Sequence, residues 1–245
     1  MSAATYTRYE LVRTFRNRRF FIFSLVFPLV LYYLIAGPNR DETDIGNTGI
    51  SAPLYYMVGL AAYGAMTAMI ASGARIAAER SLGWNRQLRI TPLSTRAYFR
   101  AKVLTGYTMA VISLLALDLA GTTLGVTLPA GEWVRMTALI LVGLVPFAAL
   151  GILLGHLLTA DSIGPAIGGS TALLSILGGT WFPIPSEGAL HVIAQLLPSY
   201  WLVQASQVAL GGRGWDSRGW AVMIAWTVVL SLLAARAFRR DTQRA

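Results

Sequence analysis

Cysteine is absent from the sequence, and charged residues are scarce. Of the 245 residues, 13% are charged and 55% are hydrophobic. A soluble globular protein has about 25% charged residues, so the composition excludes an ordinary soluble domain. Without cysteine, the chain has neither a disulfide framework nor a thiolate ligand for a metal ion.

Motifs of common enzymes are also missing. The sequence contains no phosphate loop of the form GxxxxGKS or GxxxxGKT, no HExxH zinc motif and no GxSxG nucleophile elbow. His156 and Asp161 come nearest to a catalytic pair, but catalysis normally recruits more partners. We interpret these two as turn and interface residues, and we expect no enzymatic activity, cofactor or metal in this chain.

Long apolar runs dominate the sequence. A helix that crosses a membrane needs roughly 20 mostly apolar residues. Residues 188–210 are also apolar, but Pro198 divides them into pieces too short to cross, and we predict re-entrant or interfacial helices there. The six predicted spans are residues 20–37, 53–74, 104–128, 136–158, 163–182 and 220–235.

The distribution of basic residues favours six spans over seven. With six, both termini and the loop after the second span share one side, which holds sixteen basic residues against four on the other. Basic residues collect in cytoplasmic loops, so we predict a multi-pass membrane protein with both termini in the cytoplasm. The net charge of +9 then reflects topology and contact with anionic lipid, and not nucleic-acid binding.

The predicted fold is an all-α polytopic membrane protein with one transmembrane domain over residues 1–245. Residues 5–19 are predicted to form a helix that lies on the cytoplasmic face of the membrane. Tyr9, Val12 and Phe15 form an apolar stripe at helical spacing. Arginines project onto the same side, and their long stems can extend toward lipid headgroups.

The predicted spans are nearly free of ionisable side chains. Asp118 is the only one well inside a span, and an intramembrane acid is costly and a functional candidate. Two interpretations stay open: substrate contact or gating, and a structural hydrogen bond to Thr122 or to interfacial water. GxxxG patterns begin at Gly121, Gly151 and Gly164 and indicate close helix packing.

A charged connector separates the second and third spans. Residues 77–102 carry seven charges, six of them basic. Gly83 is suited to end the helix of the second span, and Pro92 ends whatever helix precedes it. Ser94 or Thr95 can then cap the next helix. The pattern predicts a short helix held off the membrane between two rigid helices, which is typical of a docking surface for a cytoplasmic partner.

This connector resembles the cytoplasmic coupling loop of ABC-2 type transporter permeases. That loop typically shows a glutamate, a glycine-containing turn, an L-x-x-TP-x-S segment and a basic re-entry. Trp84 and Asn85 depart from it, because many members have a small residue followed by an acid. The matching positions here are Glu79, Gly83, Leu88, Thr91, Pro92 and Ser94.

A second segment is similar to the end of the fifth span in the same family. There, a GG-x-x-x-P turn precedes short outer helices and an LP pair. The order of spans and the amino-terminal helix agree as well, so the resemblance covers essentially the whole chain. It is nearest to drug-resistance permeases of actinobacterial type. The matching positions are Gly178, Gly179, Pro183, Leu197 and Pro198.

The resemblance implies an export permease that has no nucleotide site of its own. Two copies, or one with a related permease, would pair with two copies of a separate ATP-binding-cassette subunit, which binds ATP and Mg. Residues 77–95 would be the coupling segment. Its implied contact residues are Glu79, Arg80, Leu82, Gly83, Trp84, Arg86 and Leu88.

The resemblance also implies a substrate path along the second and fifth spans and an external gate within residues 184–210. Because the spans have almost no charge, we predict a hydrophobic or amphipathic cargo, such as a drug, a secondary metabolite or a lipid. Alternatives are export of a polysaccharide or lipid-linked glycan, a non-ABC channel, and a structural subunit. The path candidates are Tyr56, Tyr63, Met66, Asp118, Ser170, Thr171, Ser175 and Thr180, and the gate candidates are Pro183, Pro185, His191 and Pro198.

Overall fold

All regular secondary structure in the described part of the chain is helical. The computed structural model describes residues 3–83, 93–210 and 214–243, and no strand occurs within them. Shorter helical turns are a π turn at Ile22–Val26 and 3-10 turns at Ile45–Asn47 and Ala205–Leu210. The α-helices are α1 (Ala3–Phe15), α2 (Arg18–Phe21), α3 (Phe27–Ala36), α4 (Ala52–Ala74), α5 (Ile76–Ser81), α6 (Thr95–Thr123), α7 (Ala130–Gly143), α8 (Val145–Leu157), α9 (Ile163–Leu177), α10 (Ala189–Gln195), α11 (Pro198–Gln204) and α12 (Ser217–Gln243).

Apolar helices follow one another in the predicted order. Two of them, Ser24–Ala36 and Ile163–Leu177, are shorter than a full span and occupy the places of the first and fifth spans. The prediction of an all-helical protein with several apolar helices is confirmed, whereas the number of six crossings stays a prediction. Within the described residues, four stretches are long and apolar enough to cross: Ala52–Ser81, Thr95–Thr123, Ala130–Leu157 and Ser217–Asp241.

Helix α4 lies at the centre of the fold. Almost all of its residues are buried, and it packs against α3, α6, α8 and α9. Its glycines permit this, because small residues let helix backbones approach closely. A Cβ on Gly73 would lie 2.6 Å from the backbone of Gly151, and one on Gly155 would lie 2.7 Å from the Gly73 carbonyl. The GxxxG pattern at Gly151 therefore serves packing inside the chain, between α4 and α8.

Helix α9 ends earlier than the predicted fifth span. The prediction covered residues 163–182, whereas α9 ends at Leu177. Gly179 has φ +80°, a left-handed conformation that glycine adopts without strain. Its carbonyl accepts a hydrogen bond from the Tyr55 hydroxyl of α4. The chain therefore turns here, and the turn is attached to the central helix.

The apolar stretch after α9 folds into two short helices that Pro198 separates. Neither α10 nor α11 is long enough to cross a membrane, and their re-entrant placement stays a prediction. The break leaves carbonyls of α10 without helical partners, since proline has no N–H. Trp201 donates its indole N–H to the Gln195 carbonyl at 3.0 Å, and Trp226 donates to the Leu196 carbonyl at 2.8 Å. Tryptophan side chains thus supply hydrogen bonds to the carbonyl groups at the break in the helix.

Helix α1 ends earlier than predicted, and its placement on the membrane face stays a prediction. It ends at Phe15, before the predicted limit of residue 19, and the Asn17 N–H bonds the Thr14 carbonyl at 3.0 Å to close the last turn. The apolar stripe is exposed, with Tyr9 53% exposed. The buried face carries Tyr6, Glu10 and Thr14, and α1 packs against α6.

Candidate functional site

Helix α5 forms the start of the charged region, and the part between α5 and α6, residues 82–94, is the connector. Leu82 is 74% exposed, and Gly83 has φ +68°, the left-handed conformation expected of a residue that ends a helix. After the connector, Ser94 caps α6 by accepting a hydrogen bond from the Ala97 N–H at 3.3 Å. Both ends of the connector therefore have the predicted geometry. The predicted contact residues Trp84, Arg86 and Leu88 lie outside the described residues.

Glu79, which was expected on the contact surface, is a buried residue with 1% exposure. Its Oε1 accepts hydrogen bonds from Lys102 and, at 2.9 Å, from Arg13. Its Oε2 accepts a hydrogen bond from the Tyr98 hydroxyl at 2.6 Å. Arg13 belongs to α1, while Tyr98 and Lys102 belong to α6. One carboxylate on α5 therefore holds both neighbouring helices.

A second buried carboxylate completes this cluster, which we call the Glu79 network. Glu10 of α1 and Lys102 of α6 are each 1% exposed, and Lys102 Nζ lies 2.8 Å from Glu10 Oε2. Arg75 donates to the Thr14 hydroxyl at 2.5 Å and extends the network along α1. Desolvating an ion costs several kcal/mol, so such charges are retained only when they are paired and hydrogen-bonded. The network therefore fixes α1 against α5 and α6.

Arg13 lies at the edge of the Glu79 network and is partly exposed. Burial disfavours its charged guanidinium, but the carboxylates of Glu79 and Glu10 outweigh burial and raise the pKa of Arg13 above its usual value. Arg13 stays charged at every physiological pH, and the network keeps this cation when the pH changes.

Arg80 forms a separate set of contacts, which we call the Arg80 network. Its Nη2 donates to Asp241 Oδ1 at 2.7 Å, and its Nη1 donates to the His156 carbonyl at 2.9 Å. The His156 ring completes the triangle, with Nδ1 2.7 Å from Asp241 Oδ2. Phe99 and Phe238 contact the His156 ring at centroid distances of 6.0 and 5.5 Å. The Arg80 network therefore joins α5, the end of α8 and the end of α12.

Sequence reasoning missed Glu10, Lys102 and Asp241 as members of a site. A usable signal was present for Lys102, because it is the single lysine among twenty basic residues. Lysine carries a compact charge on a flexible stem, so it can reach two carboxylates inside a crowded site. His156 was expected at a turn or interface, and it lies at an interface with Asp241 as its partner. Asp161 is exposed.

The path candidates on α4 and α9 are brought together, although most of them are buried. Tyr63 lies with its ring centroid 5.8 Å from that of Trp181, which follows α9. A Cβ on Gly59 would lie 3.0 Å from the Thr180 carbonyl. The turn that follows α9 is thus closely packed against α4. Met66, Thr171, Ser175 and Thr180 are buried, whereas Tyr56, Tyr63 and Ser170 are half-buried.

Asp118 lies apart from those candidates, on the side of α6 that faces α7. The Thr137 hydroxyl donates to its Oδ2 at 3.5 Å. The expected hydrogen bond to Thr122 is not formed; the Thr122 hydroxyl instead donates to the Leu119 carbonyl at 2.7 Å. The hydrogen bond to this carboxylate therefore comes from the neighbouring helix α7, from a residue 19 positions away in the sequence.

The gate candidates lie at three different places. A Cβ on Gly46, in the first loop, would lie 2.9 Å from the Pro183 ring. His191 Nε2 lies 2.7 Å from Gln195 Nε2, and Arg218 of α12 donates to Gln195 Oε1. Pro185 is exposed, and Pro198 is buried at the start of α11. Helix α10 is therefore attached to α12 through Gln195.

The apolar helices around α4 define a multi-pass membrane protein, and comparison with known proteins gives its family. Residues 39–236 match the family described as ABC-2 family transporter protein, and the chain belongs to it. The chain is similar to YvfS of Bacillus subtilis (strain 168), whose name describes it as a transport permease. Identity is 27% over 232 residues, which is 92% of each chain.

Family membership identifies the role of the chain. The chain is the permease component of an ABC-2 type transporter, and it is a non-catalytic transporter subunit. ABC-2 permease domains carry no cofactor, and ATP binds to a separate ATP-binding-cassette subunit. Within the described residues, no group of three or more potential ligands is placed to hold a metal ion. Glu10, Arg13 and Asp241 lie outside the matched residues.

Proposed function

We propose that this permease exports a hydrophobic or amphipathic compound, such as a drug, a secondary metabolite or a lipid. The observation that carries this proposal is the composition of α4 and α9, which contain no acidic or basic residue. A charged solute would need compensating charges or a wet lining, since a buried charge costs about 2.5–3.5 kcal/mol on insertion scales. Tyrosine and methionine side chains of α4, most of them buried in the packed fold, would supply an adaptable apolar wall for the path.

The assembly that we propose contains two permease copies and two ATP-binding subunits in a bacterial plasma membrane. The sixteen basic residues on one side favour a cytoplasmic location for both termini and the connector. The helices α4 and α9 would line the path. The segment of residues 184–210 would form the external gate, and the candidate gate residues are Pro183, Pro185, His191 and Pro198.

Coupling to ATP hydrolysis is assigned to the connector, with α1 as a second contact. Glu79 is buried, so its part is to position the connector rather than to touch the ATP-binding subunit. The exposed Leu82 and the predicted anchor Trp84 are the direct contacts in this proposal. The Glu79 network makes α1 follow α5, because ionic hydrogen bonds inside a packed site resist separation.

Reconstitution tests the proposed function. Vesicles containing the permease and its ATP-binding subunit should accumulate hydrophobic compounds when ATP is supplied, and these compounds should stimulate ATP hydrolysis. The matched control contains an ATP-binding subunit that cannot hydrolyse ATP. Selective transport of a polysaccharide would contradict the cargo proposal but leave the exporter intact. Transport without any ATP-binding subunit would contradict the exporter itself.

A further inference from the structure

The end of α12 carries an acidic residue where helix electrostatics disfavours one. The carboxyl end of a helix is the negative end of its dipole, and it favours cations. Asp241 nevertheless lies in the last turn of α12, directly after Arg239 and Arg240, and is the one acid of that helix. A specific partner must therefore offset this unfavourable location.

Arg80 and His156 supply that compensation. Both carboxylate oxygens of Asp241 are used: Oδ1 accepts from Arg80 at 2.7 Å, and Oδ2 lies 2.7 Å from His156 Nδ1. The side chains of Arg80 and Asp241 are 31% and 23% exposed and that of His156 is 2% exposed, so the ion pair is partly exposed and its His156 side is shielded from solvent. Shielding strengthens the ionic hydrogen bonds that hold it.

Arg80 also bonds the end of α8 independently of Asp241. Its Nη1 donates to the carbonyls of Gly155 at 3.2 Å and Leu158 at 3.4 Å, in addition to that of His156. The last carbonyls of a helix have no partner within it, so a guanidinium there caps α8. Removing the Asp241 charge would leave this cap in place and remove only the ionic attachment of α12, while Phe238 still contacts His156. Substitution of Asp241 therefore tests the attachment of α12 to Arg80 without removing the cap of α8.

We infer that Asp241 is a positioning residue for transport, holding α12 on Arg80 so that the last span and α5 move as one body. This inference rests on the proposed function, in which motion enters through the connector that follows α5. Glu79 and Arg80 are adjacent in sequence, yet they attach opposite ends of the chain, α1 and α12, to the same short helix. Nucleotide-driven motion of the connector therefore reaches the last span directly through the Asp241–Arg80 pair.

A kinetic test uses Asp241→Asn, which keeps the size of the side chain and removes its charge. In reconstituted complexes we expect transport per ATP hydrolysed to fall by about fivefold, the effect of losing a partly exposed ion pair. The KM for ATP and the recovery of the complex should stay unchanged, because the ATP site is in the other subunit. Asp241→Glu should restore transport, and Asp161→Asn is the matched control at an exposed acid. Normal transport per ATP in Asp241→Asn would overturn the inference.

A distance measurement tests the single-body motion without disturbing the ion pair. Because the chain has no native cysteine, spin labels can be placed at Ser81 and Arg240, which are exposed neighbours of Arg80 and Asp241. Labelled permease diluted with unlabelled copies should give one narrow distance that is the same with and without ATP. Asp241→Asn should broaden it. A change in the distance between the two labels on ATP binding in the parent protein would overturn the inference.

The same vesicles separate this inference from the proposed function. If the parent complex transports nothing with ATP, the proposed function fails, whatever the variants do. If the parent complex transports and the labelled distance changes with ATP, the proposed function stands and the positioning role of Asp241 is wrong.

Discussion

Lys102 at the start of α6 lies with its Nζ 2.8 Å from Oε2 of Glu10 on α1, and both side chains are 1% exposed. The two residues are 92 positions apart in sequence. Lys102 also bonds Glu79, so this one cation is shared between two buried carboxylates, with Arg13 as a second cation beside them. Such an arrangement is stable only as a whole, because removing one partner leaves an uncompensated charge in a buried site.

The first prediction concerns the stability that depends on Lys102. Lys102→Met keeps most of the side-chain volume but leaves Glu10 and Glu79 short of a cation. We expect a loss of about 3–5 kcal/mol in the free energy of unfolding, the usual effect of breaking a buried ion pair. Denaturant unfolding of the purified permease, followed by tryptophan fluorescence, measures it. Arg96→Met, at an exposed cation in the same helix, is the control. Equal stability of the two variants would show that the Glu79 network is not needed for folding.

A second prediction concerns the docking surface of the connector. Trp84→Ala should weaken binding of the ATP-binding subunit by about 2 kcal/mol or more, because a tryptophan anchor in a docking groove carries much of the binding energy. Reversing the charge of Glu79 is a poorer test, because that residue is buried and its reversal would also destabilise the fold. Co-purification and substrate-stimulated ATP hydrolysis are the measurements. Full recovery of the complex and normal transport in Trp84→Ala would exclude this anchor.

Features that depend on local periodicity could be predicted from the sequence. The apolar helices, the helix stop at Gly83, the cap at Ser94 and the break at Pro198 each follow from a residue and its immediate neighbours. The Glu79 and Arg80 networks could not be predicted in this way. Asp241 and Arg80 are 161 positions apart, and no period or spacing connects them. Glu79 was expected on the contact surface because the resemblance to the coupling loop of ABC-2 permeases implied it, whereas the side chain is buried.

The third prediction tests the close packing of α4 against α8. A Cβ on Gly151 would lie 2.9 Å from the Cα of Ile70, and backbone atoms cannot move aside as a flexible side chain can. Gly151→Ala should therefore destabilise the permease by about 1–3 kcal/mol, as overpacking does. Gly168→Ala is the matched control, since no atom lies within 4 Å of a Cβ built there. Thermal unfolding midpoints that are lowered equally by both substitutions would contradict the packing between these helices.

The last prediction concerns orientation in the membrane. The native chain has no cysteine, so single cysteines can be placed on both sides without background labelling. Cysteines at Asn17 or Ser81 should react with membrane-impermeant thiol reagents only after the cells are opened, whereas cysteines at Thr43 or Ser217 should react in intact cells. All four positions are exposed. The expected pattern follows from sixteen basic residues on the side of the connector against four on the other.

Thr43 is preferred to Asn47 for the outer loop. Asn47 has φ +59°, which asparagine tolerates better than cysteine does, so substitution there would strain the loop that the label is meant to report. The control for access is the same set of cysteines in membranes permeabilised with detergent, where all should react. Labelling at position 17 in intact cells would show that the orientation is opposite to the predicted one. The connector would then lie outside the cell, where no ATP-binding subunit could reach it.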